Sequence, residues 1–335
     1  MPAATPFSSL EVCAGAGGLA LGLESAGFSP VALVDTDETA LTTLFGNRPS
    51  WSLIEEDLRS FDPQDHPEAF DVDLLSAGTP RVKSIATINR PGDQAERELV
   101  TAALYLVGTV KPRAVLFENV PGLVDGDEFG DVRAEIEAEL THHGYRLFKS
   151  VLNAMDFGVA QDRKHGFFVA LRESDAAGFR WPTPLPGPAP VVGDVLHASM
   201  AAAGWPHADA WAAHARRVAP TLVGGSDRRG GPDLGPERAK AIWERMGING
   251  GTVADDVPGP SDGWALGGER RGLPALTVAQ AALLQGFPPT WQIAGRKTRK
   301  YRQVGQAVPP PLASALGRQI AAALTGSSGD SSPAP

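Results

Sequence analysis

The sequence predicts an α/β protein of two parts, a large domain built on a parallel sheet and a smaller loop-rich one. Three observations carry that prediction. The first 185 residues alternate short apolar runs with longer amphipathic stretches, as βα units do. A Pro-rich break from Trp181 to Pro190 ends the alternation. Beyond the break the chain is rich in Gly and Pro to about Gly272, and apolar periodicity resumes only from Leu276.

Five apolar runs read as buried strands: Leu10 to Val12, Val31 to Val34, Val72 to Leu75, Ala114 to Phe117 and Phe167 to Leu171. Gly, Asp or Glu closely follows four of them. Ligands of open α/β sheets collect beyond the carboxyl ends of the strands, so those residues are the first candidates for a site. The expected division is 1–185 for the sheet domain, 186–272 for the loop-rich domain and 273–324 for a segment returning to the first. Residues 325–335 form a Ser/Gly/Pro tail expected to be disordered.

With 335 residues, 42% hydrophobic and 21% charged, the chain is long enough to bury a sizeable core, which excludes disorder as its main state. No run of about 18 apolar residues occurs, and the N-terminus lacks the layout of a signal peptide. A cytoplasmic protein with no membrane partner is expected. Cys13 is the single cysteine, which excludes an intramolecular disulfide and a thiolate-based zinc site. His207 and His214 read as surface residues, and no metal site is expected. The formal charge of −9 means that a nucleic-acid partner must be met by a local basic patch.

Glu11-Val-Cys-Ala-Gly-Ala-Gly-Gly-Leu19 reads as strand, Gly-rich turn and helix, the helix carrying Leu19 and Leu23 on one face and ending at Gly27. Glycines there let a ligand approach the backbone and aim helix N-terminal N–H groups at it. Asp35 closes the second strand, where a carboxylate can hold ribose hydroxyls, and Asp57 can accept from an adenine amine. Each acid taken singly is more often a helix cap or a solvated loop residue.

Taken in order, these segments resemble the DNA cytosine-5 methyltransferases from about Ser9 to Ala323. Leu10 to Leu19 looks like the family's cofactor loop, which implies contacts of Cys13, Ala14, Gly15, Gly17 and Gly18 with S-adenosylmethionine. Asp35 and Asp57 match its ribose and adenine acids, and Phe117-Glu-Asn-Val-Pro-Gly-Leu123 its catalytic Glu-Asn-Val element. Gln161-Asp-Arg163 matches the start of its Gln-x-Arg-x-Arg motif, Leu276-Thr277 with Gln285-Gly-Phe-Pro288 its ninth motif, and Tyr301 to Pro310 its tenth. The resemblance implies a Rossmann-like S-adenosylmethionine-dependent methyltransferase domain over 1–185, with Pro80 and Gln306 also at the cofactor. It further implies a target-recognition domain over 186–272, C-terminal motifs over 273–324 and double-stranded DNA as substrate.

In that family a cysteine thiolate adds to carbon 6 of an extruded cytosine, which lets carbon 5 attack the methyl group. The resemblance gives Glu118 contacts to N3 and the exocyclic amine, counts Asn119 with the catalytic element, and has Arg163 orient the base and the thiolate. This sequence departs at the nucleophile. In Ser76-Ala-Gly-Thr-Pro-Arg-Val-Lys-Ser84, Arg81 stands where the family's Pro-Cys pair has its cysteine. A guanidinium stays protonated and cannot attack. Cys13, in the cofactor loop, reads as a buried structural thiol. Nearby, the loop gains Lys83, His165 replaces the second arginine of the motif, and Gln306 replaces an asparagine, while Glu96-Arg97 persists. Two readings of Arg81 are open: with Lys83 it meets a phosphate or a base edge, or it pairs with Glu118 and plugs the pocket.

DNA binding is expected from Arg296, Lys297, Arg299 and Lys300 in one basic run, and from Arg228 and Arg229 among glycines. The expected function is that of a family member that binds S-adenosylmethionine and double-stranded DNA, with transfer to carbon 5 lost or strongly reduced. One rival is chemistry needing no covalent adduct, such as methylation of an exocyclic amine. Another is a catalytically silent DNA-binding regulator or partner subunit. A monomer is expected, with a cognate endonuclease as a further candidate partner.

Overall fold

A computed structural model describes residues 6–82, 94–223, 232–267 and 270–326. Lys83, Arg228, Arg229 and the tail beyond 326 lie outside the described residues. Chain contacts divide the protein into two units, one of Met1–Leu152, Lys164–Thr183 and Ala313–Pro335, the other of Asn153–Arg163 and Pro184–Leu312. This division differs from the expected one in two places. Asn153–Arg163 joins the second unit, and residues 273–312 do too, so that only the chain from Ala313 onward completes the first.

The first unit is built on a seven-stranded sheet. Its strands are β1 (Phe7–Val12), β2 (Phe28–Asp35), β3 (Leu53–Glu55), β4 (Leu74–Gly78), β5 (Ala114–Asn119), β6 (Tyr145–Asn153) and, after a two-residue β7 (Gln161–Asp162) of the second unit, β8 (Lys164–Arg172). The order across the sheet is β3-β2-β1-β4-β5-β8-β6. Strands β1 to β5 pair in parallel, whereas β8 runs antiparallel to β5. The wholly parallel sheet expected from the sequence is corrected at that edge. A parallel crossover needs a connection of a dozen residues or more, usually helical, and 154–163 between β6 and β8 hold only a 3₁₀ turn and β7.

Helices α1 (Gly18–Glu24), α2 (Glu38–Asn47), α3 (Ala95–Val110), α4 (Pro121–Asp125) and α5 (Gly130–His142) connect these strands, and α6 (Glu173–Ala176) follows β8. The apolar periodicity of α3 puts Val100, Leu104 and Val107 against Leu75, Val115 and Phe117 of the sheet, with Ile136 and Leu140 of α5 in the same cluster. Each such side chain contributes roughly 1.5–3 kcal/mol by leaving water. At the opposite end of β5 from Glu118, Arg113 donates to Asp73 (3.1 Å), Asp175 (2.8 Å) and the carbonyl of Leu324 (2.8 Å). That last bond ties the end of the C-terminal helix to the sheet.

The second unit holds α7 (Val192–Ala201), α8 (Ala208–His214), a short β9 (Ala219–Pro220) paired with β7, α9 (Glu237–Arg245), α10 (Val278–Leu284) and α11 (Lys297–Gln306). Trp211 and Trp243 are fully buried within it. A reciprocal cap starts α10: the N–H of Gln280 donates to the Thr277 hydroxyl (3.1 Å), and the N–H of Thr277 to the Gln280 side chain (2.9 Å). The last helix, α12 (Pro310–Gly326), begins at the division and continues into the first unit.

Within the first unit α12 lies close on α1, because Gly317 has no side chain. A Cβ there would stand 2.8 Å from Cβ of Ala26 and 3.0 Å from Cδ2 of Leu23. Gly317→Val is expected to destabilise the fold by about 1–3 kcal/mol through overpacking, read from the midpoint of urea denaturation.

Candidate functional site

The carboxyl ends of the parallel strands carry the residues singled out in the sequence, each placed by local chemistry. After β1 the chain turns through Cys13 (φ 57°), Gly15 (φ 54°) and Gly17 (φ 78°) before α1 starts. Left-handed backbone suits glycine and strains a cysteine, so the turn is held from outside. The N–H of Ala14 donates to the Val34 carbonyl (3.2 Å), and that of Gly15 to the Asp35 carboxylate (2.7 Å). A Cβ at Gly15 would meet nothing within 4 Å, so the turn presents bare backbone to open space.

Asp35 ends β2 and also accepts the N–H of Asp37 (2.8 Å). Burial lifts its carboxyl above the ordinary range, and these backbone N–H groups oppose the rise. Asp57 follows β3. Its carboxylate accepts the side chain of Arg59 (2.6 and 3.0 Å) and the Arg59 N–H (2.9 Å), which hold it down to about 2. Arg59 reaches on to Glu98 of α3 (3.1 Å). A donor such as an adenine amine would share Asp57 with this guanidinium. A glycine turn, an acid at the end of β2 and a second acid after β3 fit a nucleoside with a charged tail.

The turn after β4 carries Thr79, Pro80 and Arg81, and the side chain of Asn119 fixes it. Its amide donates to the Thr79 hydroxyl (2.9 Å), the Thr79 carbonyl (3.2 Å) and the Pro80 carbonyl (3.1 Å), and its oxygen accepts the N–H of Val82 (3.0 Å). Asn119 is buried, as such a set of bonds requires. Arg81 is exposed, with no hydrogen bond or ion pair among the described residues. The plug reading, in which Arg81 pairs with Glu118, is therefore not what forms. Glu118 pairs instead with His165, whose Nδ1 lies 2.6 Å from its Oε1, the side chains being 12% and 4% exposed. The antiparallel register sets Glu118 opposite Phe167, so His165, two residues along β8 on the same face, is within reach, whereas residue 81 lies beyond the clamp of Asn119.

Two groups at this edge are chemically quiet. Burial, and then Asp35, Asp57 and Glu11, push the Cys13 thiol up to about 12, so the one sulfur of the chain's cysteine is no nucleophile. Glu11 of β1 is buried, and its Oε1 has no partner among the described residues. Sequence reasoning passed over this carboxyl. The signal available was an acid inside an apolar run, Leu10-Glu11-Val12.

Other predicted residues lie in the second unit. Arg163 is buried and donates to the carbonyls of Leu222 (2.7 Å) and Gly305 (2.9 Å). Arg296 and Arg299 are exposed at the start of α11, Lys297 of that helix pairs with Asp255 (2.9 Å), Lys300 is half-buried, and Gln306 is exposed at its end. Among the described residues no cluster of His, Cys, Asp and Glu could hold a metal ion, and no helix is long and apolar enough to cross a membrane.

The sequence profile of the C-5 cytosine-specific DNA methylases matches residues 7–322. The chain is 42% identical over 316 residues to the Type II methyltransferase M.NaeI of Lentzea aerocolonigenes, covering 94% of this chain and 75% of that one. It is 39% identical over 327 residues to M.NgoMIV of Neisseria gonorrhoeae, covering 95% and 98%. Among solved structures, a DNA modification methyltransferase described as putative, encoded within an Escherichia coli prophage, aligns with a TM-score of 0.65 at 20% identity, over 95% of this chain and 99% of that one. A DNMT2 variant of Spodoptera frugiperda aligns with a TM-score of 0.64 at 16% identity, over 94% and 99%. At such identities these structures speak for the fold.

Buried Glu11 and Cys13, which is partly buried rather than the buried thiol expected, have two measurable outcomes. Burial raises Glu11 from 4.5 to about 8, so in that window the folded chain keeps a proton that the unfolded chain releases. Stability then falls as pH rises through the window, and Glu11→Gln removes the slope; between about pH 5 and pH 8.5 the melting temperature of the variant should drop at least 2 °C less, about 1 kcal/mol. Cys13 should react with a disulfide reagent at about pH 8 roughly tenfold more slowly in the folded chain than in denaturant.

Proposed function

Since the chain belongs to the C-5 cytosine-specific DNA methylase family, we propose that it binds S-adenosylmethionine and double-stranded DNA without carrying out transfer to carbon 5 by the covalent route. Arg81 carries this reading. It stands at the turn that delivers the nucleophile in the family, it cannot attack a ring carbon, and the chain's one thiol is held protonated elsewhere.

The bare turn at Gly15, the carboxylate of Asp35 and that of Asp57 support cofactor binding, with Cys13, Ala14, Gly17, Gly18, Pro80 and Gln306 as further proposed contacts. When bound, S-adenosylmethionine supplies an activated methyl group. On the protein side, Glu118 keeps one carboxylate oxygen on His165. Its Oε2 faces the glycine at position 78, which leaves room for a base edge. Arg81, exposed and without a partner among the described residues, is proposed to contact the DNA backbone beside that pocket. A monomeric cytoplasmic protein, with 186–272 as target-recognition domain, belongs to the same proposal. So do Lys83, Arg228, Arg229, Arg296, Lys297, Arg299 and Lys300 as DNA contacts.

The test is methyl transfer from labelled cofactor to mixed-sequence DNA. Wild type should give little or no 5-methylcytosine, and Arg81→Cys should raise product above that level. Robust 5-methylcytosine formation by wild type, abolished in Glu118→Ala, overturns the proposal. Arg81→Ala should lower the slope of log affinity against log salt by about one, the mark of a lost phosphate contact.

A further inference from the structure

The segment 160–163 is bonded to the chain before position 223 along its whole length. The N–H of Ala219 donates to the Ala160 carbonyl (2.9 Å), and β7 pairs with β9. The Thr221 hydroxyl donates to the Asp162 carbonyl (2.7 Å). Both backbone groups of Leu222 are then taken by side chains: its N–H donates to Oε1 of Gln161 (2.8 Å), and its carbonyl accepts from Nη1 of Arg163 (2.7 Å). A second set of bonds leaves the same two side chains toward the end of α11. Nη2 of Arg163 donates to the Gly305 carbonyl (2.9 Å). Nε2 of Gln161 donates to Oε1 of Gln285 (2.6 Å), whose own amide donates to the Ala307 carbonyl (2.6 Å).

A guanidinium 1% exposed is costly to bury, and it is retained where its fork satisfies several acceptors at once. Here the fork spans two stretches of chain far apart in sequence, each adjoining cations. Arg217 stands exposed two residues before Ala219, and Arg296 and Arg299 lie at the start of the helix whose last turn holds Gly305. We propose that Arg163 is a positioning residue for DNA recognition: it fixes the Ala219–Leu222 stretch and the end of α11 in one frame, so that the basic residues carried by each meet DNA in a constant register. This rests on the reading that the second unit contacts DNA, and it gives Arg163 a role other than orienting the base.

Three variants test it: Arg163→Met, which keeps the length of the side chain without the fork; Arg163→Lys, which reaches a single acceptor; and Thr221→Val, which removes one bond of the same stretch and no buried charge. The readouts are affinity for a sequence selected from a random DNA pool, affinity for its scrambled form and the melting temperature. Arg163→Met should lower the selected-to-scrambled ratio about tenfold, as expected for lost charge-assisted hydrogen bonds. Arg163→Lys should recover part of the ratio, and Thr221→Val should lower it in the same direction by less. If Arg163→Met does not fold, Thr221→Val decides alone.

An unchanged ratio in folded variants overturns the proposal. So does an Arg163→Met protein that keeps its sequence preference and loses only discrimination between cytosine and an abasic site at the target, since that is the signature of contact with the base. Wild type that binds no DNA at any salt overturns the DNA reading itself, and is told apart from the other outcomes because no variant is needed to see it.

Discussion

Parallel pairing of β1 to β5 is the constraint from which the site derives. Strands paired in that sense all leave the sheet at one edge, so the turns after them must share that edge whatever their sequences. Register then sets neighbours: Gly78 lies beside Glu118, and Leu10 beside both Ala32 and Leu75. The glycine turn, Asp35, Asp57, the Thr79–Val82 turn and Glu118 are brought together by hydrogen bonds of the strands behind them. The side chains refine the arrangement: Asp35 holds the first turn, Asn119 the fourth and His165 the carboxylate.

That division of labour means that the side chain at position 81 can vary while the turn around it stays intact. Three of the four bonds from Asn119 to the turn engage backbone atoms, and the fourth engages the Thr79 hydroxyl. None involves the side chain of residue 81. A substitution there alters what the turn offers to a ligand and leaves its conformation alone. Glu11 shows the opposite case, a buried carboxyl with one oxygen unpartnered among the described residues, whose cost the surrounding apolar core must offset.

The strands with apolar runs were legible in the sequence because burial on both faces leaves a continuous signal, as in Ala114 to Phe117. Strand β3 was not, being three residues long and half-exposed, nor was β6, whose residues are mostly of intermediate burial at the sheet edge. The placement of residues in a turn or at a strand end could be read directly, as that of Gly15 and Asp35 was. Pairings chosen by side-chain reach could not. The partner the sequence offered for Glu118 was an arginine 37 positions before it, whereas the antiparallel register of β8 brings up a histidine 47 positions after it. Arg59 lies two residues from Asp57, yet its hold on that acid depends on a side-chain rotamer rather than on spacing alone.

The return of α12 to the first unit bears on how this protein is made. Its tight seat on α1 and its tie to Arg113 cannot form until the residues around Gly317 and Leu324 have left the ribosome. By then both segments of the second unit have already emerged, each between two segments of the first. The sheet must wait, with one helical layer incomplete and the apolar face of α1 uncovered, while Pro184–Leu312 is synthesised and folds. Domains generally fold as units in order of synthesis, and this chain inverts the order: the unit begun first is the one closed last. Interruptions of synthesis late in the chain would therefore expose the same surface, the α12 seat, and that surface is where a nascent-chain chaperone would have most to cover.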